Sequence, residues 1–129
     1  MILLDTHVWI WWAAETPRRL SARARRAISE SPSIAVSAIS PWEVAMLVAK
    51  GRLELDRDVL VWIRQALALP RVTLVPLTPE IAVRSTRLGA GFPGDPADRI
   101  LVATARELGA SLATKDAILR NAEGVRTVW

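Results

Sequence analysis

Four acidic residues of this 129-residue chain lie where predicted strands and helices meet: Asp5, Glu43, Asp98 and Asp116. Divalent cations such as Mg²⁺ and Mn²⁺ prefer carboxylate oxygens and water, so carboxylates from separate segments can bind them together. The chain has one histidine and no cysteine, which excludes a thiolate zinc site and a disulfide framework. The four acids therefore indicate a divalent-metal site, provided that the fold brings them together.

The apolar pattern alternates between short strand-like segments and longer helical ones. It predicts strands at residues 2–4, 34–36, 72–75, 111–113 and 125–128. It predicts helices at residues 6–14, 21–29, 41–50, 56–69, 78–88, 95–108 and 116–121. Strands that alternate with helices favour an α/β domain with a mainly parallel central sheet, and residues 1–129 are expected to form a single domain.

The order of these segments predicts where the acids lie. Asp5 directly follows the first predicted strand, Glu43 comes soon after the second, and Asp116 comes soon after the fourth. Asp98 lies at the start of the helix that precedes the fourth strand. Ligands of open α/β sheets bind beyond the carboxyl ends of the strands, so all four acids are expected at one edge of the sheet.

Helix capping is the structural alternative for three of the acids. Ser40 and Glu43 have the spacing of a capping box, with a proline at the first helical position between them. Asp95 and Asp98 have the same form, with Asp95 as the cap, and Asp116 could cap the last short helix. A carboxylate at a helix N-terminus is also favoured by the helix dipole, so capping and metal binding are compatible roles.

Asp5 has no predicted capping role at the end of its apolar segment, and burial of an unpaired carboxylate costs several kcal/mol. It is therefore expected to be paired or bound to metal. A metal-dependent phosphatase of another α/β class is disfavoured, because Thr6 and His7 follow Asp5 where such a site would have a second aspartate. His7 is expected to pack or hydrogen-bond at the helix start, with a general base as the alternative.

Four ordered segments that contain these acids resemble the PIN domain, namely residues 3–7 (LLDTH), 37–45 (SAISPWEVA), 95–105 (DPADRILVATA) and 113–116 (ATKD). The resemblance spans the whole chain, and more narrowly it is to the VapC-type toxins of bacterial toxin–antitoxin pairs. It implies a PIN-like three-layer α/β/α domain. It also implies a Mg²⁺- or Mn²⁺-dependent endoribonuclease that hydrolyses RNA phosphodiester bonds.

The resemblance also implies roles for individual residues of this chain. The acidic pocket of the family is matched by Asp5, Glu43, Asp98 and Asp116, as catalytic and metal-binding residues. Hydroxyl positions beside that pocket, which could hold a water or orient a carboxylate, are matched by Thr6, Ser40 and Thr114. Asp95 is a further acid, expected first as a cap and second as a neighbour of the metal ligands. Whether Asp116 or Asp95 binds metal directly is left open.

The resemblance implies an RNA substrate, an antitoxin partner and a homodimer. Antitoxins of such pairs commonly place an arginine or lysine in the acidic pocket. No apolar run approaches the roughly 18 residues of a membrane span, and the N-terminus lacks the basic start and long apolar run of a signal peptide. A cytoplasmic protein is therefore expected. A catalytically silent module that binds RNA or a partner through the same fold is the alternative function.

The chain is basic, with 17 Lys+Arg against 13 Asp+Glu and a net charge of +4. The densest basic group consists of Arg18, Arg19, Arg23, Arg25 and Arg26. A basic surface attracts phosphate polyanions, and a solvated helix face is the structural alternative.

Three other features have structural predictions. Arg99 and Lys115 could pair with a carboxylate or a phosphate, and surface ion pairs are expected for both. The six tryptophans are expected mostly in the core, with some at an interface. The glycine-rich segment 89–94 lacks a phosphate-loop pattern and is expected to be a mobile loop beside the cleft.

Overall fold

The computed structural model describes residues 1–92 and 94–129, so Pro93 of the predicted glycine-rich loop lies outside the described residues. The strands are β1 (Ile2–Leu4), β2 (Ile34–Ser37), β3 (Val72–Val75), β4 (Ser111–Ala113) and β5 (Thr127–Val128). They form one sheet in the order β3-β2-β1-β4-β5, and every neighbouring pair is parallel. The predicted α/β class with a mainly parallel sheet is confirmed.

Helices connect the strands on both faces of the sheet. They are α1 (Thr6–Ala13), α2 (Ala22–Glu30), α3 (Ile39–Ala49), α4 (Val59–Leu67), α5 (Pro79–Ser85), α6 (Pro96–Leu108) and α7 (Ala117–Arg120), with a 3₁₀ turn at Pro17–Arg19 between α1 and α2. Among the described residues, none of these helices is long and apolar enough to cross a membrane.

Alternation along the central strand builds two hydrophobic cores, one on each face of the sheet. Ile2 and Leu4 belong to the core that also contains Val8, Trp9 and residues of α2 and α4. Leu3 belongs to the opposite core, with residues of α5, α6 and α7. A strand buried on both faces reads as a continuous apolar run, which accounts for the sequence of β1. The three layers are therefore helices, sheet and helices.

Strand register sets the carboxyl edge of the sheet. Leu4 is paired with Val36 of β2 and with Ala113 of β4, so β1 and β4 end at the same level and β2 extends one residue further, to Ser37. The Asp5 N–H donates to the Ala113 carbonyl over 3.1 Å, which extends this pairing by one residue. The residues that follow β1 and β4 are thereby fixed next to each other.

Several helix boundaries differ from the sequence prediction. The helix predicted at 56–69 begins only at Val59, because the Asp58 carboxylate caps it by accepting from the N–H groups of Leu60 and Val61. The helix predicted at 78–88 ends at Ser85. The last strand, predicted at 125–128, is confined to Thr127–Val128. Helix α6 ends as predicted, with Gly109 in the left-handed conformation at φ +61°.

Candidate active site

An open cleft of about 380 Å³ lies at the carboxyl edge of the sheet. Its lining includes five carboxylates: Asp5, Glu43, Asp95, Asp98 and Asp116. The four predicted site acids are thus brought together with Asp95, as the strand order predicts. Thr6 also lines the cleft, whereas Ser40 and Thr114 are buried behind it.

Asp5 is the most buried of these acids, with 7% of its surface exposed. Its Oδ1 accepts a hydrogen bond of 2.8 Å from the Val8 N–H, so Asp5 is the N-cap of α1. The prediction that Asp5 has no capping role is therefore wrong, because α1 begins at the next residue and leaves N–H groups that need an acceptor. Its Oδ2 accepts from the Thr114 hydroxyl at 2.5 Å.

Thr114 joins two of the acids. Its hydroxyl donates to Asp5 and accepts a 3.0 Å hydrogen bond from the Asp116 N–H. Asp116 in turn caps α7, with Oδ1 accepting from the N–H groups of Ile118 and Leu119, as its capping alternative predicts. Because Thr114 is fully buried, this contact fixes the chain after β4 against the chain after β1.

Glu43 is held by a different hydroxyl pair. Thr6 Oγ1 donates to Glu43 Oε1 at 2.5 Å and lies 2.9 Å from Ser40 Oγ. A hydroxyl has a single proton to donate, so Ser40 is the donor to Thr6 when Thr6 donates to Glu43. The result is a directional chain from Ser40 through Thr6 to Glu43.

The predicted capping box at Ser40 and Glu43 is wrong. Helix α3 begins at Ile39 with Ala38 at its N-cap, and no side chain caps it. Ser40 therefore lies inside the first turn and is fully buried, while Glu43 lies in the following turn and is freed for the cleft. The hydroxyl of Ser37 bonds the Ile39 N–H instead.

Asp98 is positioned by Asp95, which caps α6. Asp95 Oδ1 accepts from the N–H groups of Ala97 and Asp98 at 2.9 Å and 3.2 Å. The cap role predicted for Asp95 is confirmed. In the described part of the chain, Asp98 makes no reciprocal hydrogen bond to the Asp95 N–H, so its carboxylate is left facing the cleft.

The electrostatics of the cleft follow from crowding and burial. Burial and, after it, the negative charges of neighbouring acids together raise the pKa of Asp98 to about 6; these acids are Asp95, Asp116, Glu43 and Asp5. Burial also raises the pKa values of Asp5 and Glu43, against the hydrogen bonds from Thr114 and Thr6 that favour their ionised forms. The cleft therefore holds more negative charge than its own surroundings neutralise.

Among the described residues, the cationic side chains near the cleft form no ion pair with its carboxylates. Lys115 lines the cleft but forms no ion pair within the described residues, so the ion pair predicted for it is not found. The ion pair expected for Arg99 is not found among them either. Its guanidinium instead donates to the carbonyls of Ser85 and Phe92 and lies 5.5 Å from the centroid of the Phe92 ring. His7 is exposed at the rim of the cleft.

Two leucines that the sequence pattern does not single out also line the cleft. Leu101 and Leu119 are each 2% exposed. Leu101 is three residues after Asp98 on α6, and this spacing places both on one helix face, which is the signal that could have identified it. Apolar walls of this kind lower the local dielectric and strengthen every charge interaction in the cleft.

The donor set is the kind that Mg²⁺ or Mn²⁺ prefers, since it offers carboxylate and hydroxyl oxygens without nitrogen or sulfur ligands in the interior of the cleft. Within the described chain, no three histidine or acidic side chains are grouped closely enough to enclose one metal ion. Mg²⁺ does not require three protein ligands, because it commonly keeps several waters and takes one or two carboxylates together with substrate phosphate oxygens.

Comparisons with known proteins agree with this fold. The family model of the PIN domain matches residues 2–125. Ribonuclease VapC22 from Mycobacterium tuberculosis (strain ATCC 25618 / H37Rv) is 45% identical over 130 residues, which cover 99% of this chain and 98% of the relative. Among solved structures, VapBC2 from Rickettsia felis, bound to a DNA fragment from their promoter, has a TM-score of 0.71 at 16% identity over 98% of this chain and 97% of that one. A toxin–antitoxin complex from Klebsiella pneumoniae has a TM-score of 0.65 at 24% identity over 97% and 95%.

Proposed function

This chain belongs to the PIN domain family, and from that premise we propose that it is an endoribonuclease that acts as the toxin of a toxin–antitoxin pair. The observation that carries the proposal is the meeting of Asp5, Glu43, Asp98 and Asp116 in one cleft. The relative that is 45% identical over nearly the whole chain is named a ribonuclease. RNA is accordingly the substrate, and hydrolysis of its phosphodiester bonds is the reaction.

We propose Mg²⁺ or Mn²⁺ as the cofactor, bound in the cleft among Asp5, Glu43, Asp98 and Asp116, with one or two carboxylates as direct ligands and the others reached through bound waters. When bound, such an ion lowers the pKa of water and neutralises the charge that develops on the phosphate. The support for this proposal is the excess of negative charge in the cleft, which a divalent cation would relieve, and the all-oxygen donor set.

The chain itself contributes fixed positions for its carboxylates. Asp5 is held on both oxygens, by Val8 and by Thr114, so its orientation is set before any ligand binds. Glu43 is held on one oxygen by Thr6, and its other oxygen accepts no hydrogen bond from the residues that the structure describes. Preorganised groups of this kind need no rearrangement during the reaction. Attack by water on the phosphorus, with the 3′-oxygen as the leaving group that takes up a proton, would give products with 5′-phosphate and 3′-hydroxyl ends.

The antitoxin is the protein partner of this chain, and we propose that it acts electrostatically. An acidic cleft in which five carboxylates face a single lysine and a histidine is complementary to an inserted arginine or lysine. The antitoxin would inhibit the enzyme in this way, because its cationic side chain would neutralise the carboxylates that the metal would otherwise bind.

We also propose a homodimer. Leu74 on the edge strand β3, Leu77 after it and Val83 on α5 are exposed by 45%, 50% and 48%. Exposed large apolar side chains on neighbouring segments are typical of protein interfaces. Sedimentation of the wild-type protein and of Val83→Asp would test this, with a lower mass for the variant as the expected result.

The test of the proposed function is cleavage of structured RNA by the purified, partner-free protein. We expect cleavage with Mg²⁺ or Mn²⁺, none with EDTA, and products with 5′-phosphate ends. Added antitoxin should abolish the activity. Tight RNA binding by folded protein without cleavage in any metal would favour the silent binding module, and activity confined to small phosphate monoesters would favour a phosphatase.

A further inference from the structure

Aromatic rings extend from the rim of the cleft along the outside of α1. His7 lines the cleft and is exposed. Its ring centroid is 5.8 Å from that of Trp11, and the Trp11 centroid is 6.1 Å from that of Trp129. His7 and Trp11 are four residues apart on one helix and therefore share a face, whereas Trp129 follows the edge strand β5. We define these three residues as the aromatic row.

The aromatic row is partly exposed to solvent. Trp11 and Trp129 pack against the core beneath them and remain partly exposed, while His7 is exposed. The rings are tilted to one another by 49° and 54°. This differs from Trp9, which is fully buried and packs edge-on against Trp62 at 5.4 Å.

The densest basic group of the chain lies on elements that pack against those carrying the aromatic row. The five arginines of this group are all exposed: Arg18, Arg19, Arg23, Arg25 and Arg26. The turn that carries the first two packs against α1, and α2, which carries the others, packs against β5. Positive charge therefore flanks the elements that carry the row, while the cleft at its end is acidic.

This combination fits one class of ligand. Proteins that bind single-stranded nucleic acid combine a positive surface that follows the phosphates with aromatic rings on which bases stack. A duplex keeps its bases stacked on each other and cannot use such rings. An acidic protein segment would use the arginines, but its acidic side chains would gain nothing from the aromatic rings, whereas a nucleotide strand offers both phosphates and bases.

We propose that the aromatic row and the adjacent arginines form a binding track for unpaired RNA nucleotides, which leads the strand into the acidic cleft. The proposal rests on the proposed function, because it assigns to the same enzyme a surface that binds its RNA substrate next to the acidic cleft. Bases would stack on Trp11 and Trp129, and the arginines would contact the phosphates.

The test measures binding in EDTA, by fluorescence anisotropy of a labelled short oligoadenylate, with a matched RNA duplex as comparison. Trp11→Leu and Trp129→Leu should each weaken binding of the single strand roughly tenfold, as expected when one base–aromatic stack is removed. Trp11→Phe should retain most of the affinity. Trp12→Leu is the matched control, since Trp12 is the next residue of α1 and is also partly buried against the same core.

The salt dependence of RNA binding distinguishes the contribution of the arginines from that of the tryptophans. The tryptophan variants should leave the slope of log K against log salt unchanged. A double variant, Arg23→Ala with Arg26→Ala, should reduce that slope by roughly 0.7 for each phosphate that the protein no longer neutralises. Arg52→Ala, which removes an exposed arginine in the segment after α3, should not change it.

The outcomes distinguish this inference from the proposed function. Equal single-strand affinity in wild type, Trp11→Leu and Trp129→Leu would overturn the track and leave the ribonuclease intact. Loss of antitoxin binding in these variants with unchanged RNA binding would overturn it in favour of a protein-docking surface. Row-dependent binding of single strands by a wild-type protein that cleaves no RNA would support the track and contradict the proposed function.

Discussion

The Thr114 hydroxyl donates a hydrogen bond to Asp5 Oδ2 at 2.5 Å, although the two residues are 109 positions apart in the chain. The hydrogen bond exists because β1 and β4 are adjacent, parallel and in register, so the residues that follow them meet at the edge of the sheet. One buried hydroxyl thus positions the most buried carboxylate of the cleft and also accepts from the Asp116 N–H.

Replacement of Thr114 by valine should weaken both the fold and the site. The hydrogen bond from Thr114 opposes the effect of burial on Asp5, so its loss should raise the pKa of Asp5 further. The acidic limb of the pH–rate profile should then move to higher pH. The buried Asp5 carboxylate also loses a hydrogen-bond donor, which should lower the free energy of unfolding by roughly 1–3 kcal/mol. Thr114→Ser should restore both properties, and an unchanged pH profile in the valine variant would contradict this role.

The chain from Ser40 through Thr6 to Glu43 predicts unequal effects. Thr6→Val removes the donor to Glu43 and leaves the buried Ser40 hydroxyl without its acceptor, at a cost of about 1–3 kcal/mol in stability. Ser40→Ala removes only a donor to Thr6 and should cost less. In chemical denaturation the double variant should be less destabilised than the sum of the single ones. Strict additivity would mean that the two hydroxyls act independently.

Asp98→Asn should stabilise the metal-free protein at neutral pH. The folded-state pKa of Asp98 is raised to about 6 from 3.8, so the folded protein binds the proton more tightly than the unfolded chain. The contribution of Asp98 to stability is therefore most favourable below pH 3.8, declines between pH 3.8 and about 6, and is unfavourable above that. The variant should show a higher Tm than wild type in EDTA above about pH 6, with no gain below pH 3.8.

The control for this measurement is Glu54→Gln, which removes an exposed acid outside the acidic cleft. It should change Tm little at any pH. A lower Tm for Asp98→Asn at neutral pH in EDTA would show that its carboxylate is not repelled by the other acids of the cleft.

A divalent cation should reverse the order of the Tm values of wild type and Asp98→Asn, so that wild type becomes the more stable protein. Mg²⁺ or Mn²⁺ that binds only the folded protein raises its stability according to concentration and affinity. We expect the Tm of wild type to increase with added metal and the Tm of Asp98→Asn to respond much less. A monovalent salt at equal ionic strength provides the control for general screening. Equal responses of both proteins would contradict metal binding at Asp98.

The sequence was sufficient to place the strands and to predict that the four acids meet. The hydrophobic pattern of each segment is a local signal, and the order of the segments along the chain is read directly from the sequence. It was not sufficient for the hydrogen bonds that hold those acids. Ser40 and Thr6 are 34 positions apart, so their pairing depends on how α3 packs against α1. The predicted capping box at Ser40 was wrong for a related reason. Helix α3 begins at Ile39, one residue before Ser40, and Ser40 is buried inside the first turn. The capping role of Asp5 was not predicted because it depends on α1 beginning immediately after β1.

The most direct measurement for the central claim is the initial rate of RNA cleavage by wild type and by Asp98→Asn, in Mg²⁺ or Mn²⁺, with both proteins shown to be folded by circular dichroism. If the acidic cleft is the ribonuclease site, the variant should be slower by at least about a hundredfold, because the charge interactions at such a site contribute several kcal/mol. A folded Asp98→Asn protein that cleaves at the wild-type rate would contradict the account and would place the active site elsewhere in the chain.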